Sequence, residues 1–225
     1  MKRALFILII GCLVFSIRVY SQIFKFDKDK LEAVNVSFFI EGEALNRKDV
    51  IKVIKDPSVQ EVDEPTFVRI KGVDFKNGTI ELNVRSKILP NAPEFSRGFI
   101  GIAFRINGSN SKFECIYIRP ANGRDSSQIR RNHTVQYFSF PNYKFDKLRN
   151  DAPGEYESYA DIGLNEWIKL KIVVKSAQAK LFINDNKQPS LIVNDLKQGA
   201  DSSGAIGLWV DVGTEGYFSD LSIHQ

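Results

Sequence analysis

Apolar and polar side chains alternate strictly along several short segments of this 225-residue chain. The clearest segment is Thr79–Arg85, in which Ile80, Leu82 and Val84 alternate with polar residues. Successive side chains of a β-strand point to opposite faces, so a period of two predicts a strand that is buried on one face only. No convincing amphipathic helix pattern follows residue 35. The alternation therefore constrains most of the chain to a β architecture.

The same alternation, or a short apolar run bounded by turn residues, recurs at regular spacing. The other predicted strands are Val34–Ile40, Ile51–Ile54, Phe67–Ile70, Gly98–Ile106, Phe113–Arg119, Thr134–Phe140, Trp167–Val174, Ala179–Ile183, Ser190–Val193, Gly204–Val212 and Gly216–Ile223. Many short strands without intervening helices are typical of an antiparallel sandwich or barrel. Pro141–Glu166 is predicted to be a long connection, and loops of that length are often functional.

The N-terminus has the layout of a secretory signal peptide. A basic start precedes the apolar run Ala4–Phe15, and the small residue Ser21 marks the predicted cleavage point. The run is shorter than the roughly 20 residues that span a membrane. We expect residues 1–21 to be removed and residues 22–225 to form a single exported β domain in the periplasm or outside the cell. The alternative is a lipoprotein box with lipid attached at Cys12.

The charge balance argues against nucleic-acid binding, and the cysteine content excludes an internal disulfide. Removing the signal peptide takes away three of the 31 basic residues and leaves 28 against 27 acidic ones. A chain so nearly balanced lacks the concentrated basic field that nucleic acid requires. We therefore expect no nucleic-acid partner, and no stable membrane insertion after cleavage. Cys115 is then the only cysteine, so it forms no internal disulfide, and we expect it to be a small buried hydrophobe.

Three passages carry a resemblance that covers roughly Phe67 to His224. They are NGTIELNVR, then GFIGIAFRI with FECIYIRP, then NEWIKLKIVVKSAQAKLFIND with GAIGLWVD and GYFSDLSI. Together they resemble the concanavalin A-like jelly roll of laminin-G-type lectin and glucanase domains. Within that superfamily the chain is similar to exported bacterial domains related to the 3-keto-disaccharide hydrolases. The resemblance implies an all-β, antiparallel two-sheet jelly-roll sandwich, a fold that hosts both binders and enzymes.

Two departures from the enzyme patterns favour a binding domain. Family-sixteen glucanases carry three alternating carboxylates on one strand. The nearest match, residues 61–66, has Pro65 or Thr66 in the third place, and we interpret it as an exposed link. The keto-disaccharide hydrolase pattern expects a polar pair where this chain has Phe99 and Ile100. Only Arg105 and Glu114 carry over from that pattern.

Side chains opposite the apolar sets supply the chemistry of a sugar site. Aromatic rings stack on the C–H groups of sugars, and planar polar groups form paired hydrogen bonds with hydroxyls. We expect an oligo- or polysaccharide to lie on the concave outer face. The predicted ligand-binding residues are Glu81, Arg105, Tyr117, Arg119, His133, Tyr137, Trp209 and Asp211. The alternative is a solvated face with cross-strand ion pairs.

Candidate catalytic residues are Glu114, Arg105 and His133. Glu114 is an acid in an apolar series, so it is either an arginine partner or, if buried, a proton donor with a raised pKa. His133 titrates near neutrality and suits acid–base chemistry, or it is an ordinary loop residue. The leading hypothesis remains a carbohydrate-binding domain. The alternatives are a glycoside hydrolase or 3-keto-glycoside lyase or hydrolase, and an adhesion domain that recognises protein.

The loops offer three further groups of candidates. Arg124, Arg130 and Arg131 either clamp an anionic sugar or form a solvated loop. Four tyrosines around the long connection either wall a groove or form a small loop core: Tyr137, Tyr143, Tyr156 and Tyr159.

No cofactor is expected, because one histidine without a second histidine or cysteine nearby does not suit a transition metal. Ca²⁺ held by Asp151, Glu155 and Asp161 is the alternative, although their spacing matches no known calcium loop.

Overall fold

The computed structural model describes residues 22–225. The predicted signal peptide and Cys12 lie outside the described residues. In the part of the chain that the structure describes, no helix is long and apolar enough to cross a membrane.

The described chain contains seventeen strands. The first eight are β1 (Gln22–Ile23), β2 (Leu31–Val34), β3 (Val36–Ile40), β4 (Glu43–Ala44), β5 (Arg47–Lys48), β6 (Ile51–Lys55), β7 (Phe67–Phe75) and β8 (Gly78–Ile88). The other nine are β9 (Ile100–Ile106), β10 (Phe113–Ile118), β11 (Val135–Phe140), β12 (Glu157–Ser158), β13 (Ile168–Lys175), β14 (Gln178–Ile183), β15 (Leu191–Val193), β16 (Gly204–Val210) and β17 (Thr214–His224). Two short helices, α1 (Gln128–Asn132) and α2 (Phe145–Asp151), accompany them, with 3₁₀ turns at Lys28–Lys30 and Pro120–Asn122.

The strands form two large antiparallel sheets. The first sheet has the order β15-β14-β13-β8-β17-β6-β3, and β1 pairs with β17 outside this path. The second sheet has the order β12-β11-β10-β9-β16-β7-β2, and β4 and β5 form a separate hairpin. The C-terminal strands β16 and β17 lie within different sheets, between strands that come much earlier in the chain. This interleaved order confirms the predicted all-β jelly-roll sandwich.

The predicted apolar faces meet between the sheets. In β8, Ile80, Leu82 and Val84 are buried. Their paired residues in the neighbouring strand β13 are also apolar and buried. From the second sheet, Ile100 and Val210 point towards β17 of the first. Alternation then places their neighbours in β9 and β16 on the outer face of the second sheet. That outer face carries the site described below.

Two predicted elements differ from the structure. Val34–Ile40 is not one strand, because Asn35 takes a left-handed φ of 51° and divides it into β2 and β3, which belong to different sheets. The long connection at Pro141–Glu166 contains α2, and the segment between β10 and β11 contains α1. These helices have seven and five residues. Helices of one or two turns are too short to show an apolar periodicity, so the sequence pattern missed them.

Candidate functional site

A pocket of about 480 Å³ opens on the outer face of the second sheet. Its walls come from the end of β10, from α1 and α2, and from the loops before β7, before β9 and after β16. Its lining residues are Val62, Asp63, Phe95, Arg97, Phe99, Tyr117, Arg119, Asn122, Arg130, His133, Phe145, Arg149 and Asp211. Four of the eight predicted ligand-binding residues therefore come together here: Tyr117, Arg119, His133 and Asp211.

An aromatic layer, made of Phe67, Phe113, Tyr117, Phe138, Phe140 and Trp209, supports the pocket from below. Ring centroids within it lie 4.8–5.8 Å apart. Gly101 stands between Tyr117 and Trp209 in the register of the sheet. A Cβ there would lie 2.5 Å from the Cβ of Tyr117, so only glycine lets these rings pack together.

Trp209 was predicted to stack against a ligand, but its side chain is fully buried. Its Nε1 donates to the carbonyl of Glu64 at 2.9 Å, and its ring lies 4.8 Å from that of Tyr117. The chain segment before β7 covers the ring, which strand alternation alone does not show. Trp209 is therefore part of the floor's support and does not line the pocket.

Arg119 is the buried cation of the pocket. Its Nη2 donates to the Tyr117 hydroxyl at 2.5 Å, and its Nη1 donates to the carbonyl of His133 at 3.0 Å and to Gln136 at 3.3 Å. The guanidinium carbon lies 4.9 Å from the ring centroid of Tyr117 and 5.5 Å from that of Phe145. All these acceptors are neutral, and residues 22–225 give Arg119 no carboxylate within ion-pair distance.

Two buried aspartates form the opposite wall. The backbone amide of Asp63 donates to Oδ2 of Asp211 at 2.9 Å, and Asp63 Oδ2 accepts from the amide of Phe145 at 2.8 Å. The other oxygen of Asp211 accepts from Lys55 Nζ at 2.5 Å and from the amide of Val212 at 2.7 Å. Burial, with the neighbouring charge of Asp211, raises the pKa of Asp63 to about 7.

The predicted exposed link at residues 61–66 is therefore wrong for its central part. Asp63 is buried, with a left-handed φ of 54°. Thr66 is also buried, and its hydroxyl donates to the carbonyl of Val210. The charged composition of the link suggested solvent exposure, but the Asp63 carboxylate is buried and accepts from the backbone amide of Phe145 instead.

His133 and Arg149 share one carboxylate. His133 Nδ1 lies 2.7 Å from Glu157 Oε2, and Arg149 donates to the same carboxylate through Nη2 at 2.7 Å. Burial lowers the pKa of His133 despite the attraction of Glu157. The buried position of His133 thus favours its neutral form.

Aromatic side chains that the sequence analysis missed form the mouth and one wall of the pocket. Phe95 is 53% exposed, and Phe99 and Phe145 line the cavity below it. Phe95 lies in an irregular loop and Phe145 begins the unpredicted helix α2, so neither had a periodic signal. The proline-rich run before Phe95 was the available sign that an ordered loop presents this ring.

Arg105 does not lie on the outer face, contrary to the prediction. It takes a left-handed φ of 54° beside a register shift between β9 and β16, and this changes the direction of its side chain. Its buried guanidinium donates to the carbonyls of Lys76, Ser176 and Gly199 at 2.7–3.1 Å. Arg105 thus fastens three loops together and does not line the pocket.

Tyr137 and Glu114 also lie away from the pocket. The Tyr137 hydroxyl donates to Glu114 Oε2 at 2.6 Å, and the amide of Gln198 donates to Oε1 at 2.8 Å. Burial raises the pKa of Glu114, and Arg105 contributes a nearby positive charge that opposes this shift. Glu114 is thus buried with a raised pKa, but it is held by Tyr137 and a backbone amide and is not ion-paired with an arginine among residues 22–225.

Glu81 lies on the outer face of the other sheet, where Lys171 and Lys169 approach its carboxylate at 3.2 and 3.5 Å. It belongs to the cross-strand ion pairs that were the alternative to a binding role. The alternation of side chains along the strands grouped Glu81 with Trp209, because alternation shows that a side chain points outward but not which of the two sheets it points from.

The loop candidates are mostly paired with neighbours. Arg124 binds Asp161 at 2.7 Å and Glu166 at 3.1 Å, and Arg130 binds Asp125 at 3.1 Å. Only Arg130 of the three predicted clamp arginines lines the pocket. Tyr137 and Tyr156 pack together, with centroids 5.6 Å apart, away from the cavity.

The acids proposed for Ca²⁺ do not converge. Asp151 pairs with Lys147, and Asp161 pairs with Arg124. Within residues 22–225, no group of three or more histidine, cysteine or acidic side chains is arranged to hold a metal ion. Cys115 is buried and free, and its burial raises the pKa of the thiol well above the usual value.

Neither a family model nor a curated protein matches the sequence. Solved structures do match. The carbohydrate-binding module CBM66 from Bacillus subtilis has a TM-score of 0.58 at 14% identity, over 87% of this chain and 96% of its own. This chain shares the jelly-roll sandwich fold of that module.

A second jelly roll of this type is a protein of Parabacteroides distasonis ATCC 8503, provisionally named a glycosyl hydrolase. It has a TM-score of 0.50 at 11% identity, over 88% of this chain and 89% of its own. At such identities the likeness establishes the fold alone. The resemblance to the 3-keto-disaccharide hydrolase domains stays a prediction, since no family model matches.

Proposed function

We propose that this chain is an exported carbohydrate-binding domain whose glycan lies in the pocket between Phe95, Phe145 and Arg119. The observation that carries the proposal is the presence of aromatic rings and guanidinium groups in one cavity. Rings pack against the C–H faces of sugars, and guanidinium groups form paired hydrogen bonds with their oxygens. The volume of about 480 Å³ falls within the roughly 300–1,000 Å³ typical of small-ligand sites.

Arg119 and His133 are the predicted residues proposed to contact the glycan. Tyr117 and Asp211 also line the pocket, but each hydrogen-bonds a pocket neighbour and so holds that neighbour in place. Phe95, Arg97 and Phe145 join the proposed contacts. Support for export comes from the signal-peptide layout of residues 1–21, and the proposed location is the periplasm or the cell exterior.

The test is a glycan array probed with residues 22–225, followed by calorimetry with the glycans that bind. Phe95→Ala should weaken binding by roughly tenfold or more, because it removes an exposed ring from the mouth. The matched control is Phe39→Ala, since Phe39 is 54% exposed but lies on β3 of the other sheet. Equal affinities for both variants would reject this pocket as the site.

A glycoside-processing enzyme is the second candidate, favoured by the presence of Asp63 and Asp211 in one pocket. Glycosidases use two carboxyl groups, one of them as a proton donor with a raised pKa. Asp63 meets the second condition. Asp211, however, accepts three hydrogen bonds, one of them from the buried ammonium of Lys55, and this pairing makes it a poor nucleophile or general base. This pairing favours binding without chemistry.

An assay for new reducing ends or unsaturated products, on the glycans that bind, separates the two candidates. The binding proposal predicts that the oligosaccharides stay intact after long incubation with the protein at a concentration used in enzyme assays. Product formation that Asp63→Asn abolishes would establish the enzyme instead. Lys147→Gln, which alters an exposed ion pair of α2, is the control for non-specific loss.

A further inference from the structure

Most of the charges around the pocket cancel locally. Asp211 is paired with Lys55, and Arg149 is paired with Glu157. Arg130 is paired with Asp125, and at the edge of the site Lys144 is paired with Glu64. Each of these pairs contributes no net charge to a ligand in the cavity. The remaining charged lining residues are Arg97, Arg119 and Asp63.

Arg97 and Arg119, which have no ion-pair partner among residues 22–225, outweigh the one remaining acid. Arg97 donates to the carbonyls of Glu94 and Ser96, and Arg119 donates to neutral oxygens only. Arg119 acts electrostatically on Asp63, and burial raises the pKa of Asp63 to about 7, so this carboxyl carries only about half a negative charge at pH 7. The cavity therefore holds an excess of positive charge. Aromatic rings partly enclose it, and because they lower the effective dielectric constant they strengthen its attraction for an anion.

Arg119 retains donors suited to a planar anion. A guanidinium group has five N–H donors. In the described chain Nη1 uses two of them and Nη2 uses one. The Nε–H and one Nη2–H remain without a partner. Two donors on adjacent nitrogens form the fork that binds both oxygens of a carboxylate.

We infer that the glycan held in this pocket is acidic, and that Arg119, with Arg97 at the mouth, binds the carboxylate of a uronic acid residue. This inference rests on the proposed carbohydrate-binding function and adds the class of sugar. It assigns Arg119 the role of anchoring the anion, while the ring of Phe145 packs against the sugar. Arg130 and Arg149 keep their own acidic partners.

The experiment compares matched ligands by calorimetry. The probes are oligomers of galacturonate, glucuronate and mannuronate, each beside its carboxyl-reduced neutral counterpart. The inference predicts that at least one uronate binds roughly tenfold or more tightly than its reduced form, as expected for loss of a charge-assisted fork. Affinity for that uronate should fall as salt rises.

Arginine variants locate the anion. Arg119→Lys keeps the charge but loses the fork, and Arg97→Gln removes a half-buried cation that, within the described chain, donates only to nearby carbonyls. Both should weaken uronate binding by a larger factor than they weaken binding of the carboxyl-reduced sugars. Arg124→Gln is the control, because Arg124 is an exposed arginine outside the pocket. Arg97→Gln keeps the test valid if Arg119→Lys fails to fold.

The outcomes separate this inference from the proposed function. Equal binding of uronates and their reduced forms, still weakened by Phe95→Ala, overturns the acidic ligand and keeps the carbohydrate site. Tighter binding of sulfated sugars than of uronates also overturns the carboxylate assignment. Binding of no glycan of either kind rejects the proposed function, and the inference with it.

Discussion

The backbone amide of Asp63 donates to Oδ2 of Asp211 at 2.9 Å, across 148 positions of sequence. Lys55 reaches the same carboxylate through Oδ1 and also donates to the carbonyl of Glu61. The loop before β7 is thereby fastened to the end of β16. This connection holds one wall of the pocket above the aromatic layer.

Breaking the Lys55–Asp211 pair should destabilise the protein strongly. Both side chains are almost fully buried, at 4% and 3% exposure. Lys55→Met leaves Asp211 as a buried charge without a cation, which costs roughly 3–5 kcal/mol of unfolding free energy. Urea denaturation measures the loss. The control is Lys76→Met, whose exposed pair with Asp201 should contribute no more than about 1 kcal/mol. Similar midpoints for both variants would contradict this account of the wall.

Asp63 should make the folded state less stable as pH rises. Its pKa is about 7 when folded, against an ordinary value of 3.8. Between these values the folded chain keeps a proton that the unfolded chain has released, so the stability from this group is complete below pH 3.8 and is lost by about pH 7. The loss between pH 5 and pH 8 is roughly 3 kcal/mol.

Asp63→Asn removes this dependence, because asparagine does not ionise and its carbonyl oxygen can still accept from Phe145. Urea denaturation at pH 5 and pH 8 should show the variant gaining stability relative to wild type as pH rises. A stability difference between the two proteins that does not vary with pH would mean that Asp63 titrates normally.

The same aspartate predicts the pH dependence of uronate binding. The charged groups that act on Asp63 are Asp211, Arg119 and Lys144. Lowering the pH from 8 to 5.5 neutralises Asp63 and removes a negative charge from the cavity, while the uronate stays ionised. Affinity for the uronate should therefore rise at the lower pH, and the rise should be smaller in Asp63→Asn. Calorimetry at both pH values measures this, and tighter binding at pH 8 would contradict it.

Trp209 and Phe145 should separate stability from binding. Trp209→Ala empties the centre of the aromatic layer and should cost roughly 3–5 kcal/mol of unfolding free energy. Phe145 is only partly buried, so Phe145→Ala should cost less and act mainly on ligand affinity. Thermal unfolding and calorimetry on both variants test this. A stable Trp209→Ala protein that no longer binds would restore Trp209 as a contact residue.

The fold was predictable from the sequence because alternation identifies strands wherever one face is buried. Ile80, Leu82 and Val84 point inward as expected, and Tyr117 and Trp209 share the outer face of the second sheet. Parity failed for Arg105, where a left-handed residue reverses the alternation. It also failed for Glu81, since both sheets have outer faces.

The site was only partly predictable. Tyr117, Arg119, His133 and Asp211 line the pocket because strand ends on one sheet face converge. Asp63, Phe95 and Phe145 come from irregular segments whose position depends on long-range contacts, such as the Asp63–Asp211 bond. Local patterns carry no information about such contacts. The loops that build the pocket also bury Trp209, so the same contacts explain the residue that was wrongly placed.

The most direct test of the proposed site is an NMR titration of residues 22–225 with the tightest-binding oligosaccharide. Shifts of backbone amides should concentrate at Phe95, Arg97, Arg119, His133 and Phe145, with side-chain changes at Arg119 Nε. Shifts concentrated instead around Glu81 and Lys169 would place the ligand on the outer face of the other sheet and contradict the account.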